Sequence, residues 1–264
     1  MHGMIDTHCH LSFPDYHGDR AAVIQRAVDA GCSGFVTVAT EPEDWRRTLD
    51  IAEAYPAVRV ALGVHPNHAQ VYTPAVADEL RELARSRPRV VAIGETGLDF
   101  YRDNAPREKQ YESFREHLKI AAELDLPFIL HCRASEAEML NELSRERERT
   151  GRPLRGVWHC FTATTEMAAR AAELNLYFGL GGIVTFPKSA AIRDAIATMP
   201  NEKLLLETDC PFLSPQGFRN QRRNEPAFLT SVVTTLAEVL KTTPEEICRI
   251  TTENARALFR GIGF

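Results

Sequence analysis

The sequence predicts an α/β protein whose fold is a single (β/α)8 barrel of the TIM type. The prediction rests on three features: eight short apolar runs recur along the chain, a helical pattern follows each run, and no long linker or low-complexity segment interrupts the alternation. Continuous apolar runs are typical of strands buried on both faces of a parallel sheet. A closed barrel of this kind takes about 250 residues, so we expect residues 1–264 to form one domain.

Each strand candidate is a run of apolar residues, many of them β-branched or aromatic. Such residues favour strands because their side chains pack well on a pleated surface. The first run is short, and it is assigned as a strand mainly because the others set the spacing. The eight runs cover residues 4–5, 35–39, 58–64, 90–93, 128–130, 157–158, 176–180 and 204–206.

Helical patterns lie between these runs, and several begin with a proline. Proline suits the first helical turn, because its missing N–H would have no helical partner there. Strand and helix therefore alternate eight times, which favours a barrel over a doubly wound sheet. The helical patterns cover residues 21–30, 42–54, 74–86, 106–124, 134–149, 165–174 and 189–199, with two further helices expected at 226–240 and 244–259.

The composition is that of an ordinary globular protein, and the net charge argues against a protein that binds long duplex nucleic acid mainly by electrostatic attraction. Hydrophobic residues make up 44% of the sequence and charged residues 25%, and the net charge is −5 with a pI near 6.0. An enzyme that grips one strand end needs only metal ions and a local basic rim. The run from Arg219 to Arg223 is either such a rim or a solvated arginine loop.

The cysteines and the apolar runs bear on the location of the protein. Six cysteines are spread along the chain without a Cys-x-x-Cys pair, so a disulfide framework is not expected and a reducing cytoplasm suits the chain best. The N-terminus has no basic segment followed by an apolar run, and no stretch of 18 apolar residues occurs. We therefore expect a cytoplasmic protein with no membrane partner, and the sequence indicates no obligate protein partner.

Polar side chains stand at the ends of six predicted strands. In a TIM-type barrel the active site lies at the carboxyl ends of the strands, so polar residues there are candidates for catalysis. A lone histidine at such a position is more often a core or surface residue. Convergence of several imidazoles and carboxylates instead indicates a metal site. The residues at the strand ends are His8, His10, His65, Glu95, His131, His159 and Asp209.

The spacing and the number of these residues predict two divalent ions. His8 and His10 are two residues apart, and since side chains alternate along a strand, both rings should point to the barrel mouth. Six ligands are too many for one tetrahedral ion, whereas two ions bridged by Glu95 divide them sensibly. Imidazole with carboxylate suits zinc, manganese or magnesium. One ion then takes His8, His10 and Asp209, and the other takes His131 and His159.

Cysteines and one further carboxylate adjoin the proposed ligands. Each cysteine is next to a ligand in the chain, so its side chain should point away from the mouth and pack as a small hydrophobe, not bind zinc. Glu207 precedes Asp209 by two residues, and it either positions a ligand or is a buried structural carboxylate. The cysteines concerned are Cys9, Cys132, Cys160 and Cys210.

Six motifs, in one order along nearly the whole chain, resemble the TatD family of metal-dependent deoxyribonucleases. They are DTHCHL at 6–11, GVHP at 63–66, GETGLDF at 94–100, HCF at 159–161, GGIVTF at 181–186 and ETDCP at 207–211. The resemblance implies a (β/α)8 barrel that removes nucleotides from DNA ends in the 3′-to-5′ direction, usually from single strands and usually with magnesium or another divalent ion. It also implies that the residues matching the six proposed ligands bind the metals and that His65 lies near the substrate phosphate.

Two segments depart from the pattern of this family. After His131 the family often has arginine followed by Asp-Ala, whereas here Arg133 is followed by Ala134 and Ser135. After the HCF motif many members have Ser-Gly-Ser, whereas residues 162–164 are Thr-Ala-Thr. Both departures leave the proposed metal ligands unchanged and bear instead on substrate preference.

The predicted reaction is hydrolysis of a phosphodiester of single-stranded DNA or another nucleic acid. Asp209 is expected to accept a proton from the attacking water, with Glu95 as the second catalytic carboxylate. His65, Lys188 and Arg223 are candidates for contacts with substrate phosphate. Two other functions stay open: a metal-dependent ester or amide hydrolase, such as a D-aminoacyl-tRNA deacylase or lactonase, and a non-catalytic binding barrel, against which the complete ligand set argues.

Overall fold

A computed structural model describes residues 3–102, 104–221 and 223–261 of the chain. Eight parallel strands form one sheet in chain order, and helices connect them. The predicted (β/α)8 barrel is therefore confirmed. The strands are β1 (Met4–Cys9), β2 (Cys32–Ala39), β3 (Val58–Leu62), β4 (Val90–Asp99), β5 (Phe128–Arg133), β6 (Gly156–Trp158), β7 (Tyr177–Leu180) and β8 (Leu204–Leu206).

The helices follow the predicted order, with small differences at their ends. The region predicted as one helix at 226–240 begins with a 3-10 turn, Pro226–Phe228, before the α-helix starts. Within the described ranges no helix is both long and apolar enough to cross a membrane. The helices are α1 (Arg20–Asp29), α2 (Pro42–Ala54), α3 (Pro74–Ser86), α4 (Arg107–Leu124), α5 (Glu136–Thr150), α6 (Thr165–Glu173), α7 (Ala190–Ile196), α8 (Leu229–Val239) and α9 (Pro244–Leu258).

The side chains of the strands form two apolar layers, one inside the barrel and one beneath the helices. In β2, Val36 and Val38 belong to a small cluster to which every strand contributes a residue, while Phe35 and Ala39 pack in the larger cluster with the helices. This alternation follows from the side-chain period of two in a strand. The continuous apolar runs in the sequence reflect burial on both faces.

Polar bonds close the barrel between β8 and β1. The buried carboxylate of Asp6 accepts hydrogen bonds from the backbone N–H of Thr208 (3.0 Å) and from its hydroxyl (2.6 Å). The hydroxyl of Thr7 donates to the carbonyl of Leu206 at 2.9 Å. A single parallel bridge joins Cys9 to Cys210 beyond the end of β8. These contacts join β1 to β8 and to the segment that follows β8, and they close the barrel at its mouth.

Strand β4 runs six residues further than the sequence predicted, and two glycines allow it to do so. Gly94 and Gly97 have φ values of +136° and +142°, a region that favours glycine. A Cβ atom on Gly97 would lie 2.0 Å from the carbonyl oxygen of His131 in β5. The close approach of the two strands therefore requires glycine here, and it places Glu95 inside β4 and not at the predicted strand end.

A buried histidine connects α4 to the segment that follows β3. The backbone N–H of Val64 donates to Nε2 of His117 at 3.0 Å, and Nδ1 of His117 donates to the carbonyl of Ser113 at 2.7 Å. Burial lowers the pKa of His117 from 6.5 to about 4. Both ring nitrogens have partners that suit the neutral ring, so protonation would break the bond to Val64.

Acidification should destabilise the fold through His117. Its folded-state pKa lies below its unfolded value of 6.5, so its contribution is complete above pH 6.5 and is lost as the pH falls towards 4. Between pH 7.5 and pH 5 the wild type should lose about 2 kcal/mol more free energy of unfolding than His117→Gln, which does not titrate. Urea unfolding at the two pH values measures this difference, and equal losses in both proteins would contradict the assignment.

Candidate metal centre

The carboxyl ends of five strands bring the six predicted metal ligands together at the barrel mouth. His131 and Asp209 are partly exposed to a cavity of about 670 Å³ that opens above them, and the other four ligands are buried. The ligand positions are His8 in β1, His10 just after it, Glu95 in β4, His131 in β5, His159 just after β6 and Asp209 after β8.

Glu95 lies between two groups of imidazoles. Its Oε2 atom is 3.4 Å from Nε2 of His8. Its Oε1 atom is 2.8 Å from Nδ1 of His131 and 3.3 Å from Nε2 of His159. Each carboxylate oxygen therefore faces a different group, which is the arrangement that a bridging carboxylate requires.

His8, His10 and Asp209 form the first group. The Nε2 atoms of the two histidines are 3.3 Å apart, and Oδ1 of Asp209 lies 3.7 Å from the first and 3.4 Å from the second. Two nitrogens that bind one tetrahedral ion, each at 2.0–2.1 Å, lie about 3.3 Å from each other. The spacing of the two rings therefore fits a shared divalent ion.

Three histidines have one ring nitrogen held by an oxygen acceptor, which directs the other nitrogen into the site. Nδ1 of His10 is 3.1 Å from the carbonyl of Val38. Nε2 of His131 is 3.2 Å from Oδ2 of Asp99, and Nδ1 of His159 is held by a carboxylate described below. A donor bond of this kind fixes the tautomer and leaves the lone pair on the opposite nitrogen for a metal. The donor set therefore fits divalent cations.

Glu207 positions His159, which answers the question that the sequence left open. Its Oε1 atom is 3.2 Å from Nδ1 of His159 and also accepts the backbone N–H of Cys160. Gly179 of β7 lies directly against the carboxylate, since a Cβ atom there would be 2.0 Å from Oε2 of Glu207. The strand thus leaves space for a carboxylate that orients a ligand.

The electrostatics of the site favour bound positive charge. Burial raises the pKa of Glu95, but the surrounding imidazoles, first of all His159, outweigh burial and hold the pKa well below its usual range. Burial lowers the pKa of His159, yet Glu95 and Glu207 raise it well above its usual value. Burial and the neighbouring His159 lower the pKa of His8, which keeps that ring in the neutral form that binds metals.

Sequence reasoning missed Asp99, which holds His131. The carboxylate of Asp99 also accepts the side-chain amide of Asn67 (3.2 Å) and the backbone N–H groups of Tyr101 and Arg102 (3.0 Å each). Burial raises its pKa, but the bond to His131 and these N–H groups lower it to about 2. Asp99 is four residues after Glu95 in the same strand. This spacing places the two carboxylates on one strand only when β4 is known to extend as far as Asp99.

His65 lies at the edge of the centre, and its hydrogen bonds make it a donor. Its Nδ1 atom accepts the backbone N–H of Asn67 at 3.0 Å, so the neutral ring carries its proton on Nε2. That Nε2 atom is 3.1 Å from Nδ1 of His131 and 3.5 Å from Oε1 of Glu95. Burial, with His131 next, lowers its pKa to about 3. His65 therefore presents an N–H group to the site.

The structure does not bring Lys188 or Arg223 to the cavity above the metal ligands, which corrects the expectation for both residues. The guanidinium of Arg223 pairs with Asp19 (2.6 Å) and Glu225 (3.2 Å) and lines a different cavity. Lys188 is exposed and does not line the ligand cavity. Arg222, in the middle of the predicted basic run, lies outside the described residues.

Two other arginines line the ligand cavity. Arg102 follows β4, and Arg133 is the last residue of β5. The guanidinium carbon of Arg133 lies 4.0 Å from the centre of the Tyr101 ring. Arg133 is two residues after His131, so the period of two in a strand is a signal that could have identified it.

The cysteines beside the ligands are packed thiols. Cys9 is fully buried and its thiol donates to the carbonyl of Val36 at 3.3 Å. Cys210 is also fully buried. Burial raises the pKa values of Cys132 and Cys160 to about 12, so neither is a thiolate near neutral pH. This placement agrees with the packing that the sequence predicted.

Comparisons with known proteins place the chain in one family. A family model described as "TatD related DNase" matches residues 5–260. The uncharacterized metal-dependent hydrolase YabD of Bacillus subtilis is 38% identical over 258 residues, which are 97% of this chain and 99% of that protein. The 3′-5′ ssDNA/RNA exonuclease TatD of Pantoea vagans is 36% identical over 262 residues, with 97% and 99% covered.

A solved structure agrees with these matches. The crystal structure of YJJV, a TatD homolog from Escherichia coli K12, superimposes with a TM-score of 0.90 at 36% identity and covers 97% of both chains. The match extends over the whole barrel, so it includes every strand that carries a ligand. The chain therefore belongs to the TatD-related DNase family and is a TatD-type metal-dependent hydrolase.

Proposed function

We propose that the protein is a 3′-to-5′ exonuclease that hydrolyses phosphodiesters of single-stranded DNA with two divalent ions, magnesium first among them. The observation that carries the proposal is the position of Glu95, whose two oxygens face separate groups of histidines. Paired ions suit phosphoryl transfer, because one side of the site serves the attacking oxygen and the other serves the leaving oxygen. The exonuclease name of the Pantoea vagans relative supports the same substrate.

We assign the ligands to the two ions in the way expected from the sequence. His8, His10 and Asp209 would hold one ion, His131 and His159 would hold the other, and Glu95 would bridge them. The ions would supply Lewis-acid polarisation of the phosphoryl group and a lowered pKa of the attacking water. Zinc and manganese are the other candidates, since four of the six ligands are imidazoles.

The remaining chemistry belongs to side chains that reach the cavity. Asp209 is 15% exposed there, and as a carboxylate it can accept the proton of the attacking water. The Nε2–H group of His65 can donate to a phosphate oxygen. Arg102 and Arg133 take the place of Lys188 and Arg223 as candidates for phosphate contacts, because both line the ligand cavity and arginine binds phosphate strongly.

The cysteines bear on the location that we propose for the protein. All six are free thiols, which suits the reducing cytoplasm that the sequence predicts.

A labelled-strand assay tests the proposal. Metal-stripped protein is incubated with 5′-labelled or 3′-labelled single-stranded DNA, with and without magnesium, manganese or zinc. We expect metal-dependent shortening of the 5′-labelled strand as a ladder, early release of a labelled mononucleotide from the 3′-labelled strand, and no cleavage of a circular single strand. His131→Ala, purified in parallel, shows whether a contaminating nuclease is present.

Other results would change the assignment in a defined way. Cleavage of the circular strand would indicate an endonuclease. Bound metal without DNA cleavage would overturn the nuclease assignment, and a panel of aminoacyl-tRNA and lactone substrates would then test the ester and amide hydrolases that the fold also permits.

A further inference from the structure

The end of the cavity beside β1 and β8 is aromatic and exposed. Phe212 is 50% exposed and Leu213 is 38% exposed, and both line the ligand cavity together with Phe13. Most other large apolar side chains in the described part of the chain are packed in the core. A half-exposed phenylalanine at the opening of a substrate cavity is a candidate for ligand contact, because it is not needed to fill the interior.

These rings connect directly to the metal ligands. Phe13 stacks on the ring of His10, with 4.6 Å between centres and 24° between planes. Phe212 meets Phe13 edge-on at 5.9 Å and His10 edge-on at 6.0 Å. A flat group that packs on Phe212 would therefore lie next to the ligand group formed by His8, His10 and Asp209.

The backbone holds Phe212 in place. Its N–H group donates to the carbonyl of Asp209 at 3.0 Å, and its own carbonyl accepts the side-chain amide of Asn224 at 2.6 Å. The backbone N–H of Asn224 donates to the carbonyl of Pro211 at 3.1 Å. A ring on a fixed backbone loses little freedom when a ligand stacks on it, which favours binding.

The opposite end of the cavity is cationic. Arg102 and Arg133 lie at the ends of β4 and β5, which are across the barrel from β1 and β8. Among the described residues that line the cavity, no lysine or arginine lies at the aromatic end. The 3′-terminal nucleotide, which carries one phosphate, would therefore lie at the aromatic end of the cavity. The rest of the DNA strand, which carries many phosphates, would extend past the two arginines.

We propose that Phe212, supported by Phe13, is a stacking platform for the base of the 3′-terminal nucleotide. The proposal deepens the proposed function and rests on it. Every base has a π-face, so stacking tolerates all sequences. It also requires a base that is free of its complementary strand, which gives a physical reason for a preference for single-stranded ends.

The kinetic test compares two ends of the same oligonucleotide. One substrate has a normal 3′-terminal nucleotide and the other has a tetrahydrofuran abasic residue there. In the wild type the normal end should have a kcat/KM roughly 5- to 100-fold higher than the abasic end. Phe212→Ala should reduce this ratio to about one, mainly through KM, whereas Phe212→Tyr should retain it because the ring remains.

Val28→Ala is the matched control, since Val28 is similarly exposed (45%) and lies in α1, outside the cavity. It should leave the ratio unchanged. Hydrolysis by Phe212→Ala with the wild-type ratio would overturn the stacking proposal and leave the nuclease assignment intact. Failure of the wild type to hydrolyse either end would overturn both proposals.

Fluorescence gives a second readout that does not depend on turnover. 2-Aminopurine is quenched when it stacks, so an oligonucleotide with this base at its 3′ end should lose fluorescence on binding to the Asp209→Asn variant. The quenching should be absent when Phe212→Ala is added to that variant, and weaker when the probe is at the penultimate position. Equal quenching with and without the phenylalanine ring would contradict the proposal.

Discussion

Replacement of Glu95 with glutamine is expected to lower the rate of single-strand hydrolysis by about 10³-fold or more. The carboxylate faces His8 through one oxygen and His131 through the other, whereas glutamine offers one oxygen and no charge. Metal ions stabilise charge in phosphoryl transfer by several kcal/mol, and each 1.4 kcal/mol is about tenfold in rate. Elemental analysis after equilibrium dialysis should find at most one divalent ion per chain, against two in the wild type.

Glu142→Gln is the control for this variant. Glu142 is also a buried carboxylate (6% exposed), but it pairs with Arg115, where α5 meets α4 on the outside of the barrel. Its replacement should leave both metal content and hydrolysis at wild-type values. Two ions and a wild-type rate in Glu95→Gln would show that Glu95 is not a bridging ligand.

Asp209→Asn should lower kcat by about 10²- to 10⁴-fold and change KM by no more than a few-fold. Asparagine has the same shape as aspartate, but it cannot accept a proton, and general-base catalysis contributes about this much to a rate. The hydrogen bond from the N–H of residue 209 to the carbonyl of His8 (2.9 Å) does not depend on the side chain, so the barrel should remain folded. Steady-state kinetics and thermal unfolding together measure both effects.

Asp15→Asn provides the comparison, because Asp15 is an exposed carboxylate of the neighbouring cavity and does not line the ligand cavity. Its kcat should equal that of the wild type. If Asp209→Asn binds two ions and retains a kcat within tenfold of the wild type, Asp209 is not the proton acceptor. If it loses its metal, the residue acts as a ligand first, and kcat must then be compared at saturating metal.

Local patterns in the chain were sufficient to predict the barrel and to select the six candidate ligands that the structure brings together. The spacing of apolar runs predicted every strand, because a parallel strand that is buried on both faces has apolar residues at consecutive positions. The positions of His8, His159 and Asp209 could be inferred because the carboxyl ends of all strands meet at one mouth. The assignment of residues 1–264 to one domain stays a prediction.

Contacts between distant segments could not be read in the same way. Asp99 holds His131 because β4 continues past two glycines that allow close approach to β5, and that approach is visible in neither strand alone. Arg223 pairs with Asp19, which is 204 residues away in the chain. Its place in a basic run suggested a contact with phosphate, but the run does not show this acidic partner. The charge of a side chain can be known from the sequence, whereas its partners come from distant segments and depend on the tertiary structure.

The exposure of Phe212 shows the same division. In the sequence it is one more apolar residue after a metal-ligand motif, and nothing in its neighbours distinguishes it from a core residue. Its exposure depends on Asn224, whose side-chain amide holds the Phe212 carbonyl, and on the cavity that the loops leave open. Periodicity describes which residues are apolar, whereas three-dimensional packing determines which apolar residues remain at the surface, because burial requires a partner from elsewhere in the chain.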